Sequence, residues 1–164
     1  IGGRHLAADR IIPDCLRAIE TGKEIAVRNP HSTRPYQHVL EPVFAYLLIA
    51  EKQYKDLKYA GNYNVGPEEE SCLATGELAE EFCRQWNSVA GAGLKWRQDG
   101  EPGPHEANFL KLDCTRIKKQ LGWKPRWNYK EMVAKTVEWI CAYIREENVT
   151  EVMLQQIKSY IHEY

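Results

Sequence analysis

Glu24-Ile25-Ala26-Val27-Arg28-Asn29-Pro30-His31-Ser32-Thr33-Arg34-Pro35-Tyr36-Gln37-His38-Val39-Leu40-Glu41-Pro42 decides how the rest of the chain is read. Its first five residues alternate in the manner of a short strand. The polar stretch Asn29 to Pro35 contains two prolines and predicts a loop. Tyr36 to Leu40 reads as a second short extended piece. Glu41-Pro42 predicts a helix start, with an acid facing the positive end of the helix dipole and a proline where no N–H is needed. Short strand, long polar loop and helix in succession predict a mixed α/β fold whose strands are minor elements.

The same alternation continues outward. Ile11, Ile12, Cys15, Leu16 and Ile19 form a helical stripe over residues 10–21 that ends at Gly22. Val43, Phe44, Leu47, Leu48 and Tyr54 are assigned to one helical face. Tyr59 to Val65 is strand-like and stops at Gly66-Pro67. Thr75 to Trp86 predicts a helix with Leu78, Ala79, Phe82 and Trp86 inward. Leu94 to Gln98 and Ala107 to Leu112 read as short strands. Asp113 is a good N-cap for a short helix through Ile117 and Leu121, with Gly122 at its end and Pro125 blocking continuation. Asn128-Tyr129-Lys130-Glu131 has capping-box spacing. The helix it opens carries Val133, Thr136, Val137, Ile140 and Ile144. Thr150 is expected to cap a last helix with Met153, Ile157, Tyr160, Ile161 and Tyr164 on one face. These strands are too few and too short for a full doubly wound sheet, so residues 1–164 are read as one small lobe built to pack on a larger neighbour.

Composition narrows the class. The chain has 164 residues, 43% hydrophobic and 27% charged, which suits one globular domain with a real core. A net charge of -1 offers no basic footprint for nucleic acid and no polybasic membrane patch. No apolar run approaches the ~20 residues that span a bilayer. Cys15, Cys72, Cys83, Cys114 and Cys141 are odd in number, widely spaced and without a C-x-x-C pair. Reduced thiols in a cytoplasmic protein are therefore expected, with no metal site. The chain opens Ile1-Gly2-Gly3 with neither Met nor a leader pattern, and is expected to begin in the middle of a longer protein.

Arg28 to His38 brings two guanidiniums and two imidazoles into one turn region. Guanidinium forks match phosphate oxygens bidentately and can hold a pyrophosphate without a metal. The same composition suits a solvated loop, and spacing does not decide between the two. By spacing alone, Arg10 favours a surface ion pair with Asp9 or Asp14. Pro104-His105-Glu106-Ala107 reads first as a surface turn, with an acid/base or ligand role second. It is not a zinc motif, because H-E-x-x-H would need a histidine where Phe109 stands. Trp123-Lys124-Pro125-Arg126-Trp127 reads as core aromatics around a tight turn. Gly91-Ala92-Gly93 runs into Leu94-Lys95-Trp96 and lacks G-x-G-x-x-G, and there is no Walker loop or G-x-S-x-G elbow. Tyr54 and Lys58 have Y-x-x-x-K spacing but no cofactor-binding context, and no residue of this chain is assigned a catalytic role.

The segments ADRIIPDCLRA, EIAVRNPHSTRPYQHVLEP, GNYNVGPEE, PHEANFLKLD and KKQLGWKPRW together resemble the CDP-glucose 4,6-dehydratases of the extended short-chain dehydrogenase/reductase superfamily. They run in the family's order over nearly the whole chain. The R-N-P-x-x-x-R-P-[WY]-Q-H-V-L-E-P run and the P-H-E-A tetrad belong to this branch, whereas L-G-W-x-P is shared more widely among nucleotide-sugar enzymes. The sequence departs from the family at Gly2-Gly3-Arg4-His5-Leu6-Ala7, where members read G-G-G-D-W-A. It departs again at Tyr36, where members carry Trp.

The resemblance implies the C-terminal substrate-binding lobe of such an enzyme, mainly helices with short strands, with the Rossmann half largely absent. It implies NAD, bound mainly by that missing half together with a Tyr-x-x-x-Lys pair, and CDP-glucose as substrate. Oxidation at C4 of the sugar, loss of water across C5–C6 and return of the hydride at C6 would give CDP-4-keto-6-deoxyglucose. It also implies a homo-oligomer in the full-length protein. Arg10 and Arg34 correspond to positions at the diphosphate, Arg28 to the segment beside the base, and His105 to a phosphate-binding position. Gln37 and Glu106 are weaker substrate-binding candidates, as is Asp9 beside Arg10. The same residues also suit a lobe of another NDP-sugar dehydratase or epimerase, or a stand-alone nucleotide-sugar-binding module.

Overall fold

A computed structural model describes residues 10–100 and 109–162. Helix α1 (Ile11–Thr21) ends at Gly22, whose φ of 64° is a left-handed conformation that costs glycine nothing. The turn is closed by Lys23 N–H donating to Ala18 O at 2.9 Å. Strand β1 (Ile25–Val27) follows, then β2 (Thr33–Pro35) and helix α2 (Leu40–Lys55). Two 3-10 turns at Leu57–Tyr59 and Glu69–Ser71 lead into β3 (Cys72–Ala74) and helix α3 (Thr75–Ala90). The chain continues through β4 (Trp96–Gln98), α4 (Thr115–Leu121), α5 (Tyr129–Ile144) and α6 (Val149–His162). This is a mostly helical α/β fold with short strands, as the sequence implied.

The strands form two separate pairs. β1 runs parallel to β4 with Ile25 opposite Trp96, and β2 runs antiparallel to β3 with Thr33 opposite Ala74. Beneath β1 lies the larger core, where Cys15 and Leu16 of α1, Phe82 and Trp86 of α3, and Val133, Val137 and Ile140 of α5 meet Ile25 and Val27. A second core joins Ala45 of α2 to Ile117 and Leu121 of α4 around Trp123. Among the described residues, no helix is long and apolar enough to cross a membrane.

Capping sets several boundaries where the sequence predicts them. Asn128 Oδ1 accepts from Lys130 N–H at 2.9 Å and Glu131 N–H at 3.1 Å, while Glu131 Oε2 accepts from Asn128 N–H at 2.8 Å. This reciprocal box opens α5. At α4 the cap position falls one residue later than expected, on Cys114, with Asp113 Oδ1 accepting from Thr115 N–H at 2.8 Å just before it; Gly122 ends that helix in a left-handed conformation as expected. Thr75 is the first residue of α3, and Leu78, Ala79, Phe82 and Trp86 are buried as expected.

Other boundaries differ from expectation. The last part of the predicted Asn29–Pro35 loop is strand β2, because residues 33–35 find a partner strand some 40 residues on. Residues 36–39 carry no strand, and α2 begins at Leu40. Tyr59 to Val65 forms no strand either. Side chains take its carbonyls: Gln53 donates to Tyr59 O at 3.3 Å, Arg116 to Asn62 O at 3.2 Å and Gln37 to Val65 O at 3.0 Å. Of the expected 107–112 strand, the described part keeps one bridge, Phe109 to Thr33. The cap of α6 is Asn148, whose Oδ1 accepts from Thr150 and Glu151 N–H, so Thr150 lies inside the helix.

Two predicted faces also change. On α2, Phe44 and Leu48 pack on the second core, but Val43, Tyr46, Leu47 and Tyr54 are exposed. The helix is apolar around much of its circumference, so periodicity alone does not choose the inward stripe. On α6, Gln156 and Tyr160 are the buried residues, and Met153, Ile157 and Ile161 are exposed. Tyr164 lies outside the described residues. Ile144, expected inward on α5, is also exposed.

Candidate functional site

The Asn29–Ser32 turn is fixed to the head of α3. Gly76 N–H donates to Pro30 O at 2.8 Å, and Thr75 donates to Ser32 O through both its N–H and its hydroxyl at 3.0 Å. The Tyr36 and Thr75 hydroxyls are hydrogen-bonded at 2.8 Å. A Cβ on Gly76 would stand 3.1 Å from Pro30 Cβ and 3.2 Å from both Pro30 O and the Trp96 ring, so glycine permits this close approach. The positive end of α3 is therefore partly occupied by the loop's own carbonyls.

The candidate side chains stand on different elements. Arg28 is exposed immediately after β1. Arg34 is half-buried in the middle of β2, opposite Leu73, and its Nη1 donates to Thr33 O at 2.9 Å. Arg10 is exposed at the extended residue before α1. The ion pair that spacing favoured for Arg10 with Asp14 gives way to another, because Asp14 is bonded to Arg17 one turn along the helix. Asp9, the alternative partner, lies outside the described residues, as do His105 and Glu106. The chain re-enters beside β2, where Leu110 N–H donates to Thr33 O at 3.1 Å, adjacent to Arg34. Gln37, three residues after Arg34, donates its side-chain amide to the Val65 carbonyl at 3.0 Å. Tyr54 and Lys58 do not act as a pair: Tyr54 is 93% exposed, and Lys58 is bonded to Asp56 at 2.8 Å.

Two residues of the decisive stretch do work that sequence reading missed. His38 was grouped with the polar loop, but it is only 4% exposed and packs edge-on against Trp127 at 4.9 Å. Its Nδ1 accepts from Leu40 N–H at 3.3 Å, so the ring is positioned at the head of α2 as a neutral acceptor. Burial, more than any other cause, lowers its pKa to about 4. Glu41 was read as a dipole complement, yet it is fully buried. Its Oε1 accepts from the N–H groups of Arg126 and Trp127, both at 2.9 Å. Its Oε2 accepts from the Tyr160 hydroxyl at 2.6 Å. The available signal was an acid flanked by apolar positions with a tryptophan-rich turn elsewhere in the chain.

Among the described residues, the cysteines are not poised as nucleophiles. All five cysteines are free, and burial raises the pKa of each thiol, that of Cys83 to about 11. Among the described residues, no three His, Cys, Asp or Glu side chains are grouped to hold a metal. Nor does Gly91-Ala92-Gly93 fit a dinucleotide. Gly91 ends α3 and the chain then enters β4, the reverse of the strand–glycine loop–helix order that cradles a pyrophosphate.

A family model described as GDP-mannose 4,6 dehydratase matches residues 3–136. A CDP-glucose 4,6-dehydratase of Salmonella typhimurium is 39% identical over 162 residues, covering 98% of this chain and 44% of its own length. A dTDP-glucose 4,6-dehydratase of Haemophilus influenzae is 25% identical over 148 residues, covering 84% of this chain and 41% of its own length. The chain thus spans less than half the length of the curated relatives it matches. Among solved structures, a UDP-glucose-4-epimerase of Stenotrophomonas maltophila with bound NAD and formylated UDP-arabinopyranose superposes with a TM-score of 0.68. That pair is 19% identical and covers 88% of this chain and 43% of the epimerase, which establishes likeness of fold.

Proposed function

The chain belongs to the GDP-mannose 4,6 dehydratase family, and from that premise we propose that residues 1–164 are the nucleotide-sugar-binding lobe of an NAD-dependent CDP-glucose 4,6-dehydratase. The parent enzyme would convert CDP-glucose to CDP-4-keto-6-deoxyglucose and water. The observation that carries this reading is 39% identity with a CDP-glucose 4,6-dehydratase over 98% of the chain. A homo-oligomeric, cytoplasmic parent is part of the same reading, and the five free thiols are in keeping with it.

The division of labour follows from the residues present. NAD supplies the hydride acceptor and donor of such a reaction, and this chain has no glycine-rich loop to hold it. The chain's own contribution is to grip the substrate. Arg10 and Arg34 neutralise the diphosphate, Arg28 lies toward the base, and His105, Gln37 and Glu106 complete the contacts. A guanidinium beside a diphosphate makes charge-assisted, often bidentate bonds, and it keeps its charge at every relevant pH. The exposed apolar residues Val43, Tyr46, Leu47 and Tyr54 of α2 are, on this reading, covered by the rest of the parent chain.

In the full-length parent, Arg34→Ala is expected to weaken CDP-glucose binding by about 1.5–3 kcal/mol, the range for a hydrogen bond to a charged group. Calorimetric titration measures this, and an unchanged affinity would remove Arg34 from the site. The purified 164-residue chain with added NAD is expected to show no conversion of CDP-glucose. Product formation by that chain would place catalytic groups within it.

A further inference from the structure

Helix α2 takes little capping from the residue before it. Val39 is already helical at φ -61° and ψ -27° and offers no capping side chain, and the cap comes from one residue further back, where His38 Nδ1 accepts from Leu40 N–H at 3.3 Å. One long hydrogen bond serves only one of the first-turn N–H groups, so tertiary contacts add to the fixing of this helix start. The segment that leads into it is residues 33–38, where Arg34 stands in β2 paired with β3 and Gln37 holds Val65 O. Besides His38, Glu41 ties the start of α2 to the rest of the fold through Arg126 and Trp127, and Glu41 is held in turn by Tyr160 of α6.

Tyr160 is the hub of this contact. Besides its bond to Glu41, its ring meets Phe44 of α2 at 5.8 Å and Trp127 at 5.0 Å, both edge-on. The Arg126 guanidinium lies 4.3 Å from the Phe44 ring and 4.7 Å from the Tyr160 ring, and its Nη1 donates to Tyr160 O. Trp127 in turn packs on His38. At its other buried position α6 is tied to α5, where Gln156 Nε2 donates to Lys135 O at 2.9 Å and Glu138 Oε2 at 3.1 Å. The helix thus links α5 to the head of α2 through two side chains.

We propose that Tyr160 is a positioning residue for the nucleotide-sugar site: α6 is a strut that acts through Glu41 to set the register of α2 and so of Arg34 and Gln37. The proposal rests on the assignment of Arg34 to the substrate. No part of it requires Tyr160 to touch substrate.

The test uses the full-length parent and three variants, with kcat and KM for CDP-glucose measured well below each variant's unfolding temperature. Tyr160→Phe keeps the ring contacts and removes the bond to Glu41. It is expected to raise KM about five- to tenfold and leave kcat within about twofold, the scale of coupling through one hydrogen-bond network. Val137→Ala in the larger core serves as a stability control and is expected to lower the unfolding temperature while leaving KM unchanged. Arg34→Ala reports on the site itself. A raised KM in Arg34→Ala with an unchanged KM in Tyr160→Phe overturns the strut and leaves the site standing. An unchanged KM in Arg34→Ala removes the site, and the strut with it. Equal rises in KM for Tyr160→Phe and Val137→Ala reduce Tyr160 to a stability residue and overturn the proposal.

Discussion

Glu41→Ala is expected to lower the unfolding free energy by about 3–5 kcal/mol, because it leaves buried donors without an acceptor. The wild-type carboxylate serves the N–H groups of Arg126 and Trp127 and the hydroxyl of Tyr160. Trp127 and Tyr160 are almost fully buried, so water cannot readily replace the lost acceptor. Glu41→Gln keeps an acceptor for the two backbone groups and is expected to cost about half as much or less. Urea unfolding followed by tryptophan fluorescence measures both variants. A loss below about 1 kcal/mol for Glu41→Ala would mean that the network is not a principal tie of α2 to the rest of the fold.

Acidification is expected to destabilise the protein through His38 before most carboxylates protonate. Its folded-state pKa of about 4 lies below the ordinary 6.5, so the unfolded state binds the proton more readily. Stability from the neutral ring is fully present above pH 6.5 and is lost as the pH falls from 6.5 toward 4. The whole effect is about 3 kcal/mol, and about 2 kcal/mol is gone by pH 5. His38→Asn does not titrate and retains an acceptor for Leu40 N–H, so its stability is expected to be flatter between pH 6.5 and 5. Parallel pH profiles for the two proteins would show that His38 protonates without cost.

Much of the helical frame was legible because its signals are local. Gly22 and Gly122 stop helices by adopting a conformation other residues avoid, and Asn128 with Glu131 completes a cap within four residues. The strands were less legible because pairing is non-local. Nothing around Thr33-Arg34-Pro35 announces Cys72-Leu73-Ala74 as its partner, and the prolines argue for a loop. Tyr59 to Val65 has a strand's composition, but side chains from other segments take its carbonyls. The site divides in the same way. Arg34 stands out as a cation beside prolines, whereas burial of His38 and Glu41 depends on Trp127 and Tyr160 arriving from the far end of the chain.

The substrate itself was not legible in composition or spacing, because a guanidinium fits any diphosphate. The proposal of CDP-glucose rests on resemblance, and it places the selection of base and sugar on the residues that would surround them. The most direct test of the central claim is turnover by the full-length parent with NAD, using CDP-glucose with UDP-glucose and dTDP-glucose as competitors. CDP-glucose is expected to be converted to its 4-keto-6-deoxy product, with the other two turned over far more slowly. Preferential turnover of UDP- or dTDP-glucose, or 4-epimerisation without loss of water, would contradict it.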